Sequence, residues 1–349
     1  MTRQIELWVA AVVGIAIVVA VPYLVGDFYQ LHLATLIAVY WVLIGGLNLV
    51  VGFTGTLSIG HVGLLAVGAY CFAILAGSHG LDPFLTLFLC GALGALIGVL
   101  LGLPSLRLPG FYFAMVTLAF ALIVTELSVA EQWLTGGGIG LSVPGFPGPL
   151  ATPWGYYWFT AALAVAVTWM TWNVTRLMWG RALVAVRDSE VAAQSVGVSI
   201  YRAKLTAFTF SGFTAGVAGA LFASLQSYIT PDTFIFELGL FFFVCIIIGG
   251  RGSIVGPLLG TVVLTALPEV VAPLANLGNF FYGALLLVVV LLLPEGISNL
   301  VIVIRNRMKP AVNVNAPVKP DLARLAAAVR RAEGEAEAHP AYEAREVHA

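Results

Sequence analysis

The stretch FLTLFLCGALGALIGVLLGL, residues 84–103, runs for 20 residues without one charged side chain and shows no strand-like alternation. A helix of that length rises about 30 Å, the thickness of the hydrocarbon core of a bilayer. Similar windows lie near residues 6–25, 33–51, 57–77, 111–130, 156–174 and 205–227. A further apolar region, from about 234 to 268, is broken at Gly249-Gly250-Arg251-Gly252, and a last run lies near 280–303. Read as two short spans, the broken region brings the expected total to about ten membrane helices.

Composition requires the same solvent. The chain is 60% hydrophobic and 9% charged, with a mean hydropathy of +1.00. It cannot cover a water-facing surface with polar groups, and in lipid the backbone must satisfy its own hydrogen bonds. The fold class expected is therefore an all-α polytopic membrane protein. A net charge of -1 argues against nucleic acid as a partner. Cys71, Cys90 and Cys245 lie singly in apolar runs, without the spacing of a metal site or a disulfide framework.

The few charges are segregated. With the N-terminus inside, the inner segments hold Arg3, then Arg107, then Arg176, Arg181, Arg187, Arg202 and Lys204, then Arg251, and then Arg305, Arg307, Lys309 and the tail. All 16 Lys and Arg residues fall on that side, while the outer loops hold Asp27, Asp82, Glu131, Asp232 and Glu269. Short cytoplasmic loops are enriched in Lys and Arg, so both termini are expected in the cytoplasm. The run at Leu7–Val25 also resembles a secretory leader, with Val18 and Ala20 as a cleavage site, but its length favours a retained first span.

Residues 1–308 thus form the expected transmembrane domain, with two notable loops. The Gly/Pro-rich loop of about 132–155 is expected to be a receptor-facing surface or lid. Its Gly136-Gly137-Gly138 lacks the Lys of a phosphate loop, and no G-x-x-x-x-G-K-[ST] occurs anywhere in the chain. Residues 309–349 read as a cytoplasmic tail, partly helical or disordered. The second loop, of about 180–203, is predicted to hold one amphipathic helix over Arg181–Gly197. Ala182, Val186, Val191, Ala193 and Val196 would form its apolar stripe, with Arg187, Asp188 and Glu190 off it. Gly197 suits a left-handed cap. Such a helix either rests on lipid headgroups or couples the spans to a motor subunit.

Polar residues inside the membrane are costly and tend to face a protein interior or a solute path. Asn48, Thr54, Ser58 and His61 flank the junction of the second and third spans, where Gly52, Gly55, Gly60 and Gly63 permit a break. With Thr117 they are the candidate solute path; the competing reading is helix packing, in which they cross-link neighbouring spans. Glu126, Tyr228 and Glu237 come second, near the outer face. Gly249, Gly250, Arg251 and Gly252 are expected to form a tight cytoplasmic turn.

Four segments carry a family resemblance: GFTGTLSIGHVGLLAVGAY (52–70), RLPGFYFAMVTLAFALI (107–123), GRALVAVRDSEVAAQSVGVSIYRAKLTAFTFSGFTAGVAGALFA (180–223) and IIGGRGSIVGPLLGTVV (247–263). Together, and in this order, they resemble the M-type permeases of the high-affinity branched-chain amino acid ABC importers. That resemblance covers most of residues 30–305 and implies a type II-like importer fold in a bacterial inner membrane. It also implies a related H-type permease, two cytoplasmic ATPase subunits carrying ATP and Mg, and a periplasmic solute-binding protein. The chain itself would bind no cofactor or metal and catalyse no covalent change. Arg181, Arg187, Asp188, Glu190, Ala193 and Gly197 would then belong to the ATPase-contacting loop. Close relatives carry urea or short amides. An ion-coupled secondary transporter is the alternative of a different class, disfavoured because the acidic residues lie mostly at span ends.

Overall fold

The structure, a computed structural model, describes residues 27–105 and 110–271. The expected spans near 6–25 and 280–303 and the tail of 309–349 lie outside the described residues. Every expected window within them is mainly helical, although that near 57–77 becomes helical only from His61. The long helices are α1 (Phe28–Asn48), α2 (His61–Phe72), α3 (Pro83–Ser105), α4 (Gly110–Ala130) and α5 (Pro153–Arg176). Two short helices follow, α6 (Met178–Asp188) and α7 (Glu190–Ser195), and then α8 (Ile200–Gln226), α9 (Phe236–Gly249) and α10 (Gly256–Val271). Wider π-type turns extend α1 over Leu49–Phe53 and α2 over Ala73–Ser78.

Among the described residues, six spans are long and apolar enough to cross a membrane: Phe28–Phe53, His61–Ser78, Pro83–Leu103, Gly110–Ala130, Ile200–Gln226 and Pro231–Gly249. The 24 residues of α5 have the length but are diluted by Trp, Tyr and Thr. The 16 residues of α10 are shorter than a full crossing. Leu96 and Leu100 on α3 and Leu122 and Ile123 on α4 point outward, as suits surfaces that meet lipid or a neighbouring subunit.

The core is organised around α8, which packs on α3, α2 and α1. It can touch three neighbours because its buried face is built from small residues, among them Ser211, Gly212, Ala215, Gly216, Gly219 and Ala223. Gly212 and Gly94 face each other at the α3–α8 crossing. A Cβ on either would strike the other's carbonyl oxygen. Four residues along, Gly216 meets the carbonyl of Cys90 and Gly98 that of Phe208, so the two backbones stay in close approach over two helical turns. This is the small-residue mode of association that lipid-embedded helices use, since apolar burial gives them no drive to pair. Beyond α8, α5 and α10 pack on α1, α4 on α2, and α9 pairs with α10.

Contacts fix the two ends of the bundle. At one end the strand Leu141–Ser142 pairs antiparallel with Tyr228–Ile229, tying the Gly/Pro loop to the C-terminal end of α8. That loop is ordered by a helical turn at Gln132–Thr135 and 3-10 turns at Gly137–Ile139 and Gly148–Ala151. The other end carries α6, α7 and the turn between α9 and α10. Every described Lys and Arg, namely Arg176, Arg181, Arg187, Arg202, Lys204 and Arg251, belongs to this second, basic end.

The α3–α8 crossing gives the first prediction. Gly94→Val should lower the thermal unfolding midpoint of the detergent-solubilised chain, at a cost of about 2–3 kcal/mol from overpacking. Ala92→Val, at an exposed position of the same helix, should leave the midpoint unchanged.

Candidate functional site

Helix α1 does not run into α2. The π turn ends at Phe53, and Thr54–Gly60 form a non-helical link before His61 opens α2. All the polar side chains expected along a solute path lie buried at or beside this link. Thr54 Oγ1 donates back to the Val50 carbonyl and lies 2.8 Å from Thr56 Oγ1. Thr117 on α4 donates to the Ala114 carbonyl at 2.9 Å and accepts from the Ile59 amide at 3.3 Å. Gly60 lies against the Thr117 backbone with no room for a Cβ, so link and α4 are in direct contact.

His61 is 1% exposed and has both ring nitrogens occupied. Nδ1 lies 2.9 Å from Ser58 Oγ, and Nε2 lies 2.7 Å from Ser211 Oγ on α8. A neutral imidazole donates from one nitrogen and accepts at the other, and each serine hydroxyl can do either, so the trio is self-satisfying. His61 therefore pins the link to α8 in this conformation. Ser211, a hydroxyl among the small residues of α8, is the partner that sequence reasoning missed.

At the basic end the expected single helix over Arg181–Gly197 is instead an elbow. Ser189 is extended, at φ -163° and ψ 116°, and its hydroxyl accepts from the Ala192 amide at 3.2 Å, capping α7. The stripe is correspondingly different. Leu183, Val186 and Ala193 are buried, whereas Val191 and Val196 are 79% and 75% exposed. A continuous helix would advance about 100° per residue; the extended residue resets that phase and turns both valines outward. Gly197 takes the expected left-handed conformation, φ +82°, with Val198 N donating to the Ala193 carbonyl at 2.9 Å.

Two charges expected on the outside of the elbow stay partly exposed, but each bonds to the bundle. Glu190 Oε1 accepts from Lys204 Nζ at 2.8 Å, and the Lys204 side chain is only 8% exposed, so the pair holds α7 on the start of α8. Arg187 Nη1 donates to the Gly52 carbonyl at 3.2 Å while its Nε meets Asp188 at 3.2 Å. Asn48 Nδ2 donates to the Ser253 carbonyl at 2.8 Å, in the turn after α9. Gly250 and Gly252 make that turn at φ +105° and +74°, and Arg251 lies exposed on it. Three regions read separately from the sequence, the end of α1, the elbow and the glycine turn, therefore meet at one place.

The opposite end holds a cleft of about 570 Å³, bordered by His32 and Thr35 of α1, Phe146, Tyr156, and Ser224 of α8. Tyr228 there donates to the Ile139 carbonyl, and Glu126 is exposed on α4. Elbow and cleft thus lie at opposite ends of one helical bundle.

A family described as branched-chain amino acid transport system / permease component matches residues 29–290, a range that includes the broken link, the elbow and the glycine turn. The chain belongs to this family. It is 34% identical over 310 residues to the high-affinity branched-chain amino acid transport system permease protein LivM of Salmonella typhimurium, covering 81% of this chain and 73% of that one. Against LivM of Escherichia coli K12 it is 34% identical over 323 residues, 85% of this chain and 75% of the other. The autoinducer 2 import system permease protein LsrC of Klebsiella pneumoniae is 32% identical over 217 residues, covering 58% and 60%. No solved structure matches the chain. With its apolar helices, this family membership makes it a multi-pass transport permease, and its relatives are permeases rather than enzymes.

Removing the ring that links Ser58 and Ser211 strands two buried hydroxyls. His61→Ala should destabilise the permease by about 1–2 kcal/mol, read as a lower thermal midpoint in detergent. His61→Gln, which keeps a donor and an acceptor, should recover part of that loss.

Proposed function

We propose that this chain is the M-type permease subunit of an ATP-driven importer in a bacterial inner membrane, carrying branched-chain amino acids delivered by a periplasmic binding protein. A related H-type permease completes the pore, and two ATPase subunits, holding ATP and Mg, act on the basic end. The observation that carries this reading is the elbow α6–α7, an amphipathic element outside the long spans at the end where the described basic residues gather. Short basic segments favour the cytoplasm, where ATP is available. The LivM relatives match over far more of the chain than LsrC does, which favours amino acids over an autoinducer as the cargo.

The two faces of the elbow then act differently. Leu183, Val186 and Ala193 fasten it to the bundle, with the Glu190–Lys204 pair as a second tie. Val191 and Val196, with Arg181 also exposed, form the surface that enters the ATPase subunit, and Gly197 sets the exit of the chain behind it. Two exposed valines on a water-facing elbow gain from being covered, and a small apolar knob in a pocket is a common anchor of an interface. The 570 Å³ cleft at the far end lies where a binding protein would release its solute. Movement of the elbow on ATP binding and release would open the buried path around Asn48, Thr54, Ser58, His61 and Thr117 alternately to the two ends.

Leucine uptake into proteoliposomes holding all the subunits should require both ATP and the binding protein. Uptake driven by an ion gradient without ATP would instead assign the chain to a secondary transporter. Val191→Asp should weaken co-purification with the ATPase subunits by about tenfold while leaving the chain's own thermal midpoint unchanged. Undiminished co-purification would remove the elbow from that interface.

A further inference from the structure

Arg187 occupies an unusual position for a charged residue on an elbow. Its guanidinium leaves the elbow's outer face and reaches the Gly52 carbonyl, in the last turn of the first described span. A helix C-terminus carries unpaired carbonyls and partial negative charge, so a cation there is well placed. The surroundings are fitted closely to this side chain. Gly55, at φ +70°, has no room for a Cβ because it would lie 2.8 Å from Arg187 Cγ, and a Cβ on Gly252 would lie 2.7 Å from Arg187 Nη1. Gly52 and Gly252 are also in close approach, since a Cβ on Gly52 would fall 2.6 Å from the Gly252 amide nitrogen. The Asn48 bond to Ser253 joins the same two segments one helical turn away.

We propose that Arg187 is the positioning residue through which displacement of the elbow reaches the membrane spans. It bonds the end of α1 and packs against Gly252 of the α9–α10 turn, so that displacement of α6 is passed to both. This rests on the reading of the elbow as the ATPase-facing element, and it gives Arg187, whose side chain is 35% exposed, a role distinct from contact with that subunit. The broken link starts two residues beyond Gly52, at Thr54, and the buried His61 trio lies at its far end. Motion delivered at Gly52 is therefore delivered to the segment that connects α1 to α2. The fork of a guanidinium suits this role, because Nε is held by Asp188 while Nη1 holds the carbonyl, two bonds that a lysine ammonium cannot span in the same geometry.

Two measurements on Arg187→Met and Arg187→Lys test this. In proteoliposomes with all subunits and the binding protein, leucine taken up per ATP hydrolysed should fall about tenfold for Met and by less for Lys, with ATPase subunits still bound. An unchanged ratio overturns the proposal. So does loss of the ATPase subunits in both variants, because Arg187 would then be an interface residue. In the purified chain alone, a Ser253→Cys reporter should react with a water-soluble maleimide about tenfold faster when Arg187 is Met than when it is native. That readout needs no partner subunit, so it separates failure of the clamp from failure of the elbow's assignment. Equal labelling rates overturn the clamp even if transport is impaired.

Discussion

The arrangement depends on how closely α8 approaches its neighbours. In lipid, apolar side chains gain nothing by leaving one apolar solvent for another, so helices associate through packing and hydrogen bonds. Gly94, Gly98, Gly212 and Gly216 let α3 and α8 meet backbone to backbone, and Gly68 and Gly219 do the same for α2 and α8. With larger residues the bundle would spread, and Ser211 would no longer lie 2.7 Å from His61. The polar centre is thus a consequence of the small-residue seams.

That centre also shows how a membrane protein keeps a non-helical segment. The Thr54–Gly60 link exposes backbone groups that lipid cannot satisfy. Its polar side chains are buried in protein, and the Ile59 amide finds Thr117 while the Thr56 amide finds the Val50 carbonyl at 3.2 Å. Ser58 and His61 close the remaining hydroxyl and imidazole demands within one trio. The same residues serve packing in this conformation, and the link they hold is the segment that the proposed solute path would require to rearrange.

Much of this was legible in the sequence, and the exceptions have physical reasons. Span positions follow from long apolar windows, and the left-handed Gly197 follows from the residue alone. The elbow was not legible. One extended residue, Ser189, changes the helical phase, and nothing local separates a serine that interrupts a helix from one that does not. Val191 and Val196 therefore read as part of the buried stripe although they face outward. The pairings that organise the basic end were hidden for another reason: Arg187 is 135 residues from Gly52 and Asn48 is 205 from Ser253. Such partners come together only once the helices are packed, and periodicity carries no information about them. Lys204 illustrates the same limit, since its separation of 14 residues from Glu190 is not a helical spacing.

The position of these long-range bonds matters as much as their existence. A permease driven from outside needs one region rigid enough to receive a push and another loose enough to change the path. The basic end has the first property, because the elbow, the end of α1 and the glycine turn are fastened by two side chain to backbone bonds and by glycines without room for a methyl. The link is tied differently, by the bonds of His61 to Ser58 and Ser211 and of the Ile59 amide to Thr117. In the coupling proposed above, a rigid junction set directly against this hydrogen-bonded link would convert displacement into rearrangement. Had Arg187 instead projected outward with Val191 and Val196, the elbow could shift on the bundle without disturbing α1, and the hydrogen bonds around His61 would have no reason to respond.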